Sequence, residues 1–254
     1  MAHQVDCTET GPKGVGDMED ISLTYSFTLE DGSQEVFELT LDAVTLELKS
    51  GPPADLPPWT ELGFHQCPSC PLESDTTPHC PAAAHLVGLI QGFARVLSHE
   101  KVRVEVVTEN RTIISERAAQ EAISSLMGLI MAVSGCPHTS FFRPMARFHL
   151  PFATEVETAY RAASMYLLAQ YFAQRAGKDS DPELEGLLNI YKQVRDVNGA
   201  FVERLRAATE ADSAINAIVV LDMLALNLPM AIGNSLEQLR HLFEPFLDDT
   251  EEAT

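Results

Sequence analysis

The fold class is decided by "ISLTYSFTLEDGSQEVFELTL", residues 21–41. From Leu23 to Leu29 apolar residues alternate with polar ones, and this period of two places them on one face of a β-strand. An Asp-Gly pair then gives a turn signal, and a second alternating run begins at Val36. The stretch predicts an antiparallel hairpin, and we expect a third short strand around Val44–Leu48.

Further along the chain, a second hairpin and a series of helices are predicted. The run 101–115 alternates, with Glu109-Asn110 at its turn, between a helix that begins after Cys80 and a helix that ends at Gly135. The predicted helices of the C-terminal half run from the Thr154/Glu157 capping box to about 176, from Asp181-Pro182 to about 208, from Thr209–Asp212 to Leu228, and from about 233 to 246. The fold class is therefore α+β, an N-terminal antiparallel sheet and a hairpin followed by a mainly helical C-terminal half.

Five regions follow from this pattern of elements. They are a disordered tail (1–20), a small antiparallel β-sheet region (21–50), a cysteine-containing metal-site region (51–153), a helical region (154–247) and an acidic tail (248–254). We find no internal repeat.

Charge is distributed unevenly along the chain. The formal net charge is −20, which argues against nucleic acid as a partner because phosphate contacts need clustered Lys and Arg. Residues 65–149 nevertheless contain seven Lys/Arg and seven Asp/Glu, together with six of the eight histidines and four of the five cysteines. We therefore expect any chemistry to lie in this neutral part of the chain.

The location of the protein is predicted from two further stretches. The N-terminus has no basic region followed by an apolar one, so no secretory signal is visible. The apolar run 214–232 is interrupted by Asn216, Asp222, Asn227 and Pro229, and a bilayer would penalise such polar groups. We expect a buried helix, no membrane partner and a cytoplasmic location.

The most specific pattern is a set of four cysteines that each precede a proline: Cys67, Cys70, Cys80 and Cys136. The C-x-x-C spacing of the first two lets two thiolates converge from one turn. Cys80 occupies an expected helix N-cap, where free N–H groups stabilise a thiolate. Cys136 follows the end of another helix, so a metal that joins all four would close a loop of about 70 residues. Cys7 is expected to take no part.

Three occupants of these cysteines are considered. A single C-x-x-C pair with two further Cys-Pro sites, flanked by small apolar residues, favours an iron–sulfur cluster. Zinc is the alternative, although structural zinc sites usually show two C-x-x-C pairs. The third possibility is that the cysteines hold no cofactor, form a disulfide or act as a redox dithiol. The histidines that border these cysteines are partly exposed loop residues, metal ligands, or donors of hydrogen bonds to the ligands; they are His65, His79 and His138. Of the three, His138 is the best candidate ligand.

A second candidate site lies in the segment 143–161. Arg143, Arg147 and His149 concentrate positive charge between two predicted helices, which predicts an anion-binding patch or a counter-charge for the cysteines. Glu157 and Arg161 have the spacing of an ordinary i,i+4 pair. The aromatic residues of the following helix are expected in the core; they are Tyr160, Tyr166, Tyr171 and Phe172.

The strings "CPSCPL", "CPAAAHLV", "SGCPH" and "PMARFHLPF" resemble those of an uncharacterised bacterial protein family, over most of the chain from about residue 21. The resemblance implies that the cysteine and Arg/His segments form a unit, and it implies no reaction. Together these patterns predict a metalloprotein that uses its centre for electron transfer, redox sensing or catalysis, with a protein redox or interaction partner. The alternatives are a zinc-stapled, non-enzymatic interaction module and an enzyme of undetermined class with a Cys/His-ligated metal. The sequence does not specify the oligomeric state.

Overall fold

The computed structural model describes residues 19–208 and 212–247. Most of the predicted N-terminal tail, Cys7, Thr209 and the acidic tail lie outside these residues. The strands are β1 (Ile21–Thr28), β2 (Gln34–Leu41), β3 (Lys101–Thr108) and β4 (Arg111–Ala118). The helices are α1 (Pro81–Gly92), α2 (Ala119–Val133), α3 (Arg143–Arg147), α4 (Glu155–Arg175), α5 (Glu185–Ala208), α6 (Asp212–Leu239) and α7 (Glu244–Leu247). The predicted α+β class is confirmed.

The two predicted hairpins form one antiparallel sheet with the strand order β2-β1-β3-β4. Tyr25 in β1 is paired with Phe37 in β2 and with Val106 in β3. The first hairpin therefore lies directly beside the second, although about 60 residues separate them along the chain. This pairing covers one edge of each hairpin, which satisfies backbone groups that an isolated hairpin would leave to water.

The predicted third strand around Val44–Leu48 is wrong. One carboxylate oxygen of Asp42 accepts the N–H groups of Val44 (3.0 Å) and Thr45 (2.8 Å), which folds the chain into a turn. Only a single bridge, between Leu41 and Leu48, continues the sheet. An Asx turn has replaced the strand because the side chain of Asp42 competes with the ladder for these donors.

The main core lies between one face of the sheet and helices α1 and α2. Tyr25 and Phe27 of β1 and Val104 and Val106 of β3 are fully buried, as the alternation in their strands requires. Phe27 packs edge-on against Phe93 at a centroid distance of 4.9 Å. Helices α5 and α6 extend this core beyond α2, and a second, smaller core joins α4, α5 and α6.

The predicted Thr154/Glu157 capping box is confirmed, whereas the helix predicted to start at Asp181-Pro182 begins at Glu185. Thr154 accepts the N–H of Glu157 (3.2 Å), and the Glu157 carboxylate accepts the N–H of Thr154 (2.7 Å). Asp181 accepts the N–H of Gly186 at 2.7 Å, close to the start of α5. The two helices predicted after residue 212 are one helix, because α6 continues through Pro229.

Helix α6 contains the one stretch within the described residues, Asp212–Met230, that is long and apolar enough to cross a membrane. A third of it is buried, and α6 packs against α2, α4 and α5. Asp222 faces Arg195 of α5 at 3.8 Å. The core helix of a soluble protein has the same composition, so length and composition alone carry little weight here.

The expectation that the aromatic residues of α4 are core residues is wrong for three of them. Tyr160, Tyr171 and Phe172 are 46%, 49% and 59% exposed, whereas Tyr166 is half-buried and donates a hydrogen bond to Asp181 (2.8 Å). Leu167 and Leu168, also exposed, extend this set. We call the five exposed residues (Tyr160, Leu167, Leu168, Tyr171 and Phe172) the α4 apolar stripe.

Candidate functional site: four cysteines and a buried arginine

A short ladder brings the C-x-x-C segment to the start of α1. Cys80 donates its N–H to the carbonyl of Thr60, and Leu62 donates its N–H to the carbonyl of Pro78, both at 2.8 Å. These two bonds close the loop 63–77, which carries Cys67 and Cys70. Within this loop Cys70 donates its N–H to the carbonyl of Cys67 (3.0 Å), so the two cysteines flank one turn.

The fourth cysteine is brought to the same place by the end of α2. Gly135 has a φ of +91°, the left-handed conformation that ends many helices. A Cβ on this glycine would lie 4.0 Å from the Cβ of Pro81, the first residue of α1. The end of α2 and the start of α1 therefore meet, and Cys136 lies beside Cys80.

His138 ties the Cys136 segment to the C-x-x-C turn. Its Nε2 donates to the carbonyl of Ser69 (2.8 Å), and its Nδ1 lies 3.3 Å from Oε1 of Gln193 in α5. Since Nε2 already donates a hydrogen bond to a carbonyl, it is not free to bind a metal. The hydrogen bond instead holds the C-x-x-C turn against the Cys136 segment.

The other two bordering histidines make different contacts. His79 pairs with Glu61 in the ladder, and its Nδ1 is hydrogen-bonded to the hydroxyl of Thr60 at 2.8 Å. His65 has a φ of +47° and lies edge-on to Phe64, at a centroid distance of 5.0 Å. A positive φ is uncommon for a residue with a side chain, so the chain turns sharply just before Cys67.

The four thiols are free, and they share one electrostatic environment. Burial, together with the neighbouring Cys80, Cys136 and Cys70, raises the pKa of Cys67 to about 12, and Arg204 opposes that rise. Burial also raises the pKa of Cys80, and the N–H groups of Ala83 and Ala82 at the start of α1 oppose that rise together with Arg204. Cys80 is the N-cap of α1, as predicted, although its side chain makes no capping hydrogen bond of standard geometry.

Arg204, in α5, is the residue of this site that sequence reasoning missed. It is 2% exposed and donates hydrogen bonds to the carbonyls of Trp59, Glu61 (2.8 Å) and Leu62 (3.4 Å). Its guanidinium lies near the rings of Phe64 (5.9 Å) and Phe201 (5.8 Å). Its only sequence signal is one arginine among the apolar positions of an amphipathic helix.

No carboxylate of the described residues lies within 4.0 Å of Arg204. Burial lowers its pKa, and the thiols of Cys80, Cys67 and Cys70 counteract that decrease. Its Nε is buried and unpaired. The anionic groups nearest to this buried cation are therefore the cysteines, if they ionise.

Within residues 19–208 and 212–247, no group of three or more His, Cys, Asp or Glu side chains stands in a position to hold a metal ion. The backbone thus gathers the four cysteines, whereas their side chains are arranged as free thiols.

The predicted Arg/His patch is divided among three different environments. Arg143 donates to the carboxylate of Glu47 (2.7 Å) and to the carbonyl of Thr45 (3.2 Å). Arg147 lies over the ring of Phe148 at 5.6 Å. His149 points inward, where its Nε2 lies 2.5 Å from the hydroxyl of Tyr25. The structure therefore does not bring these three side chains together.

The chain is an α+β protein with one four-stranded antiparallel sheet, and its four free cysteines lie on segments that meet near α1, α2 and α5. A family model described as Domain of unknown function (DUF6901) matches residues 23–244. The chain belongs to this family. No curated protein and no solved structure matches it.

Proposed function

We propose that the protein is a cytoplasmic metalloprotein in which Cys67, Cys70, Cys80 and Cys136 hold an iron–sulfur cluster as thiolates. The cluster would serve electron transfer, redox sensing or catalysis. The observation that carries this proposal is the buried guanidinium of Arg204, which has the thiols of Cys80, Cys67 and Cys70 as neighbours and no carboxylate among the described residues within 4.0 Å.

The positive charge of Arg204 supports this proposal. An arginine stays protonated inside a protein, and burying a cation costs free energy unless an anion compensates it. Backbone carbonyls satisfy part of the hydrogen bonding of Arg204, but they carry no net charge. Metal binding requires thiolates. A divalent centre with four thiolate ligands is net negative, so it would supply the charge that Arg204 lacks.

The surroundings of the cysteines support a cluster over a single ion. Cys80 and Cys136 belong to the main hydrophobic core, and Cys67, Cys70 and Leu72 pack against it. Apolar walls exclude water from a cluster, and the N–H groups at the start of α1 supply the kind of donor that tunes its potential. Cys67 and Cys70 are only half-buried, which leaves an edge from which electrons can reach a partner protein.

Zinc is the second candidate occupant, in a non-enzymatic interaction module. Cysteine thiolates are ligands of zinc as well as of iron–sulfur clusters. The α4 apolar stripe favours this alternative, because contiguous exposed apolar side chains often mark a protein–protein contact. An enzyme with a Cys/His-ligated metal is supported less, since Nε2 of His138 already donates to a carbonyl.

The deciding experiment is metal analysis of the full chain, purified without oxygen from iron-replete cells. Iron and acid-labile sulfide in equal amounts, with a broad visible absorption band that bleaches on reduction, are expected. One equivalent of zinc in a colourless protein would support the interaction module instead. A full chain that binds neither iron nor zinc after reconstitution would contradict both.

The matched variants are Cys136→Ser and Cys7→Ser. Both remove one thiol, but only Cys136 lies in the proposed site. We expect loss of the metal from Cys136→Ser and full metal content in Cys7→Ser. Equal metal content in the two variants would contradict the four-cysteine site.

A further inference from the structure

A cavity of about 450 Å³ opens between α2, α4, α5 and α6. None of the four cysteines lines it. Its walls are largely apolar, formed by Leu129, Ala132, Phe142, Met145, Leu224 and Leu228. At about 30 Å³ for each water in the liquid, the volume corresponds to about fifteen waters. An apolar cavity of this size with a few polar groups is the usual form of a small-molecule site.

Asn198 of α5 is the first polar group that points to a ligand. It lines the cavity and is 2% exposed, and its Nδ2 is buried without a hydrogen-bond partner. Leaving such an amide unpaired costs about 1–3 kcal/mol. A leucine would fill the same position without that cost, so the amide has no evident structural role.

Arg161 of α4 is the second polar group. Its Nη2 donates to the carbonyls of Met145 and Phe148, both at 2.9 Å, which fixes the guanidinium at the cavity wall. No carboxylate of the described residues lies within 4.0 Å of it. Glu157, one turn earlier, is already held by the backbone N–H and the hydroxyl of Thr154.

The remaining lining residues add no free negative charge. Glu121 lies on the wall but pairs with Arg117 at 3.7 Å. Burial, together with Arg161, lowers the pKa of His149 to about 4, so its ring is neutral near pH 7. The hydroxyl of Tyr191 has no hydrogen bond within the described part of the chain, and burial raises its pKa. Donors and one positive charge therefore face an apolar space.

We propose that this cavity binds a small carboxylic acid with an apolar body. The carboxylate accepts hydrogen bonds from Arg161 and from the amide of Asn198, and the apolar body packs against Leu129, Phe142 and Leu228. The ligand thereby supplies both the counter-charge of Arg161 and the missing partner of Asn198. This site is independent of the cysteines, so it stands whether or not they hold a metal.

The test is calorimetric titration of the full chain with decanoate, below its micelle concentration, and with decanol as the uncharged control. The two probes share one apolar chain and differ at the head group. We expect decanoate to bind at least about tenfold more tightly than decanol, a difference of about 1.4 kcal/mol. Equal affinity for the two, or no binding of decanoate at millimolar concentration, overturns the proposal.

Two variants separate ligand binding from folding. Asn198→Leu should bind decanoate about tenfold more weakly, with an unfolding midpoint equal to or above that of the wild type. Ala225→Phe, which fills the cavity from α6, should abolish binding of both probes. If the phenylalanine prevents folding, Asn198→Leu still decides, because an unchanged decanoate affinity in that variant overturns the proposed role of the amide.

Discussion

Two buried or half-buried arginines, Arg204 and Arg161, stand in contrasting surroundings. Both donate to backbone carbonyls, and neither has a carboxylate within 4.0 Å among the described residues. Arg204 faces three thiols of its own chain, those of Cys80, Cys67 and Cys70, whereas Arg161 faces an apolar cavity.

The difference lies in where the missing negative charge can come from. Beside Arg204 it can come from cysteines that lose their protons to a metal. Beside Arg161 we propose that it enters with a ligand, because Glu157 and Glu121 are held by other groups. The same physical requirement therefore supports the proposed metal site on one side and the proposed small-molecule site on the other.

The largest effect is expected at the cysteines. Cys67→Ser should lower metal content by about tenfold or more, since a neutral hydroxyl is a far weaker ligand than a thiolate. Metal-to-protein ratios measured by elemental analysis check this prediction. Ser69→Ala, within the same turn, is the control and should retain the metal; the comparison fails if both variants lose it equally.

Arg204→Met should destabilise the fold by about 4 kcal/mol, because the backbone carbonyls that now accept hydrogen bonds from the guanidinium would be left buried without a donor. Denaturant titration measures this loss. If the cluster is present, its reduction potential should also fall, since a nearby positive charge favours the more negative reduced form. Arg206→Met is the control, because Arg206 lies on the exposed side of α5 with Glu203. If the two variants lost equal stability, the result would contradict a structural role of Arg204 beyond that of an exposed arginine.

His149 should make stability depend on pH. Its pKa is lowered to about 4 by burial and by Arg161, and the hydroxyls of Tyr25 and Ser125 also face this region. The unfolded chain therefore binds the extra proton first, below about pH 6.5, and stability falls as the pH drops toward 4. The contribution amounts to about 3 kcal/mol over this window.

Unfolding free energies at pH 7 and pH 4.5 check this prediction. His149→Gln removes the titrating group and should weaken the dependence, whereas exposed His241→Gln should not. A pH dependence unchanged in His149→Gln would show that this ring does not titrate as described.

The smallest effect is expected at the start of α4. Thr154→Ala removes the cap and should cost about 1 kcal/mol of unfolding free energy. Ser164→Ala, at an exposed position of the same helix, should change stability by less than about 0.5 kcal/mol. Thermal or chemical unfolding separates the two, and equal values would contradict a functioning capping box.

Local patterns predicted much of the fold. Alternation predicted all four strands, because a strand half-buried on one face shows its period in the sequence. The capping box predicted the start of α4, because its two hydrogen bonds involve residues three apart. The strand expected at 44–48 does not form, because the Asp42 side chain accepts the N–H groups that the strand would need. This contact is also local, and the alternation of apolar residues does not reveal it.

The candidate site was only partly predictable. Cysteine spacing singled out four residues from three segments, and the backbone gathers those segments at one place. Arg204 carries no local signal, because its neighbours come from residues about 140 positions earlier. Asn198 and Arg161 likewise become candidate binding residues only because the folded chain places both on the wall of one cavity between four helices.

The sequence by itself determined the α+β class, the hairpins, the helix caps and the set of cysteines, because these depend on contacts a few residues long. Tertiary structure alone decided that the two hairpins share one sheet and that Arg143 pairs with Glu47 rather than joining His149. It also decided that, in the described part of the chain, neither Arg204 nor Arg161 has a carboxylate within 4.0 Å. Burial and charge compensation depend on contacts between segments that are far apart along the chain, and a local sequence pattern does not specify those contacts.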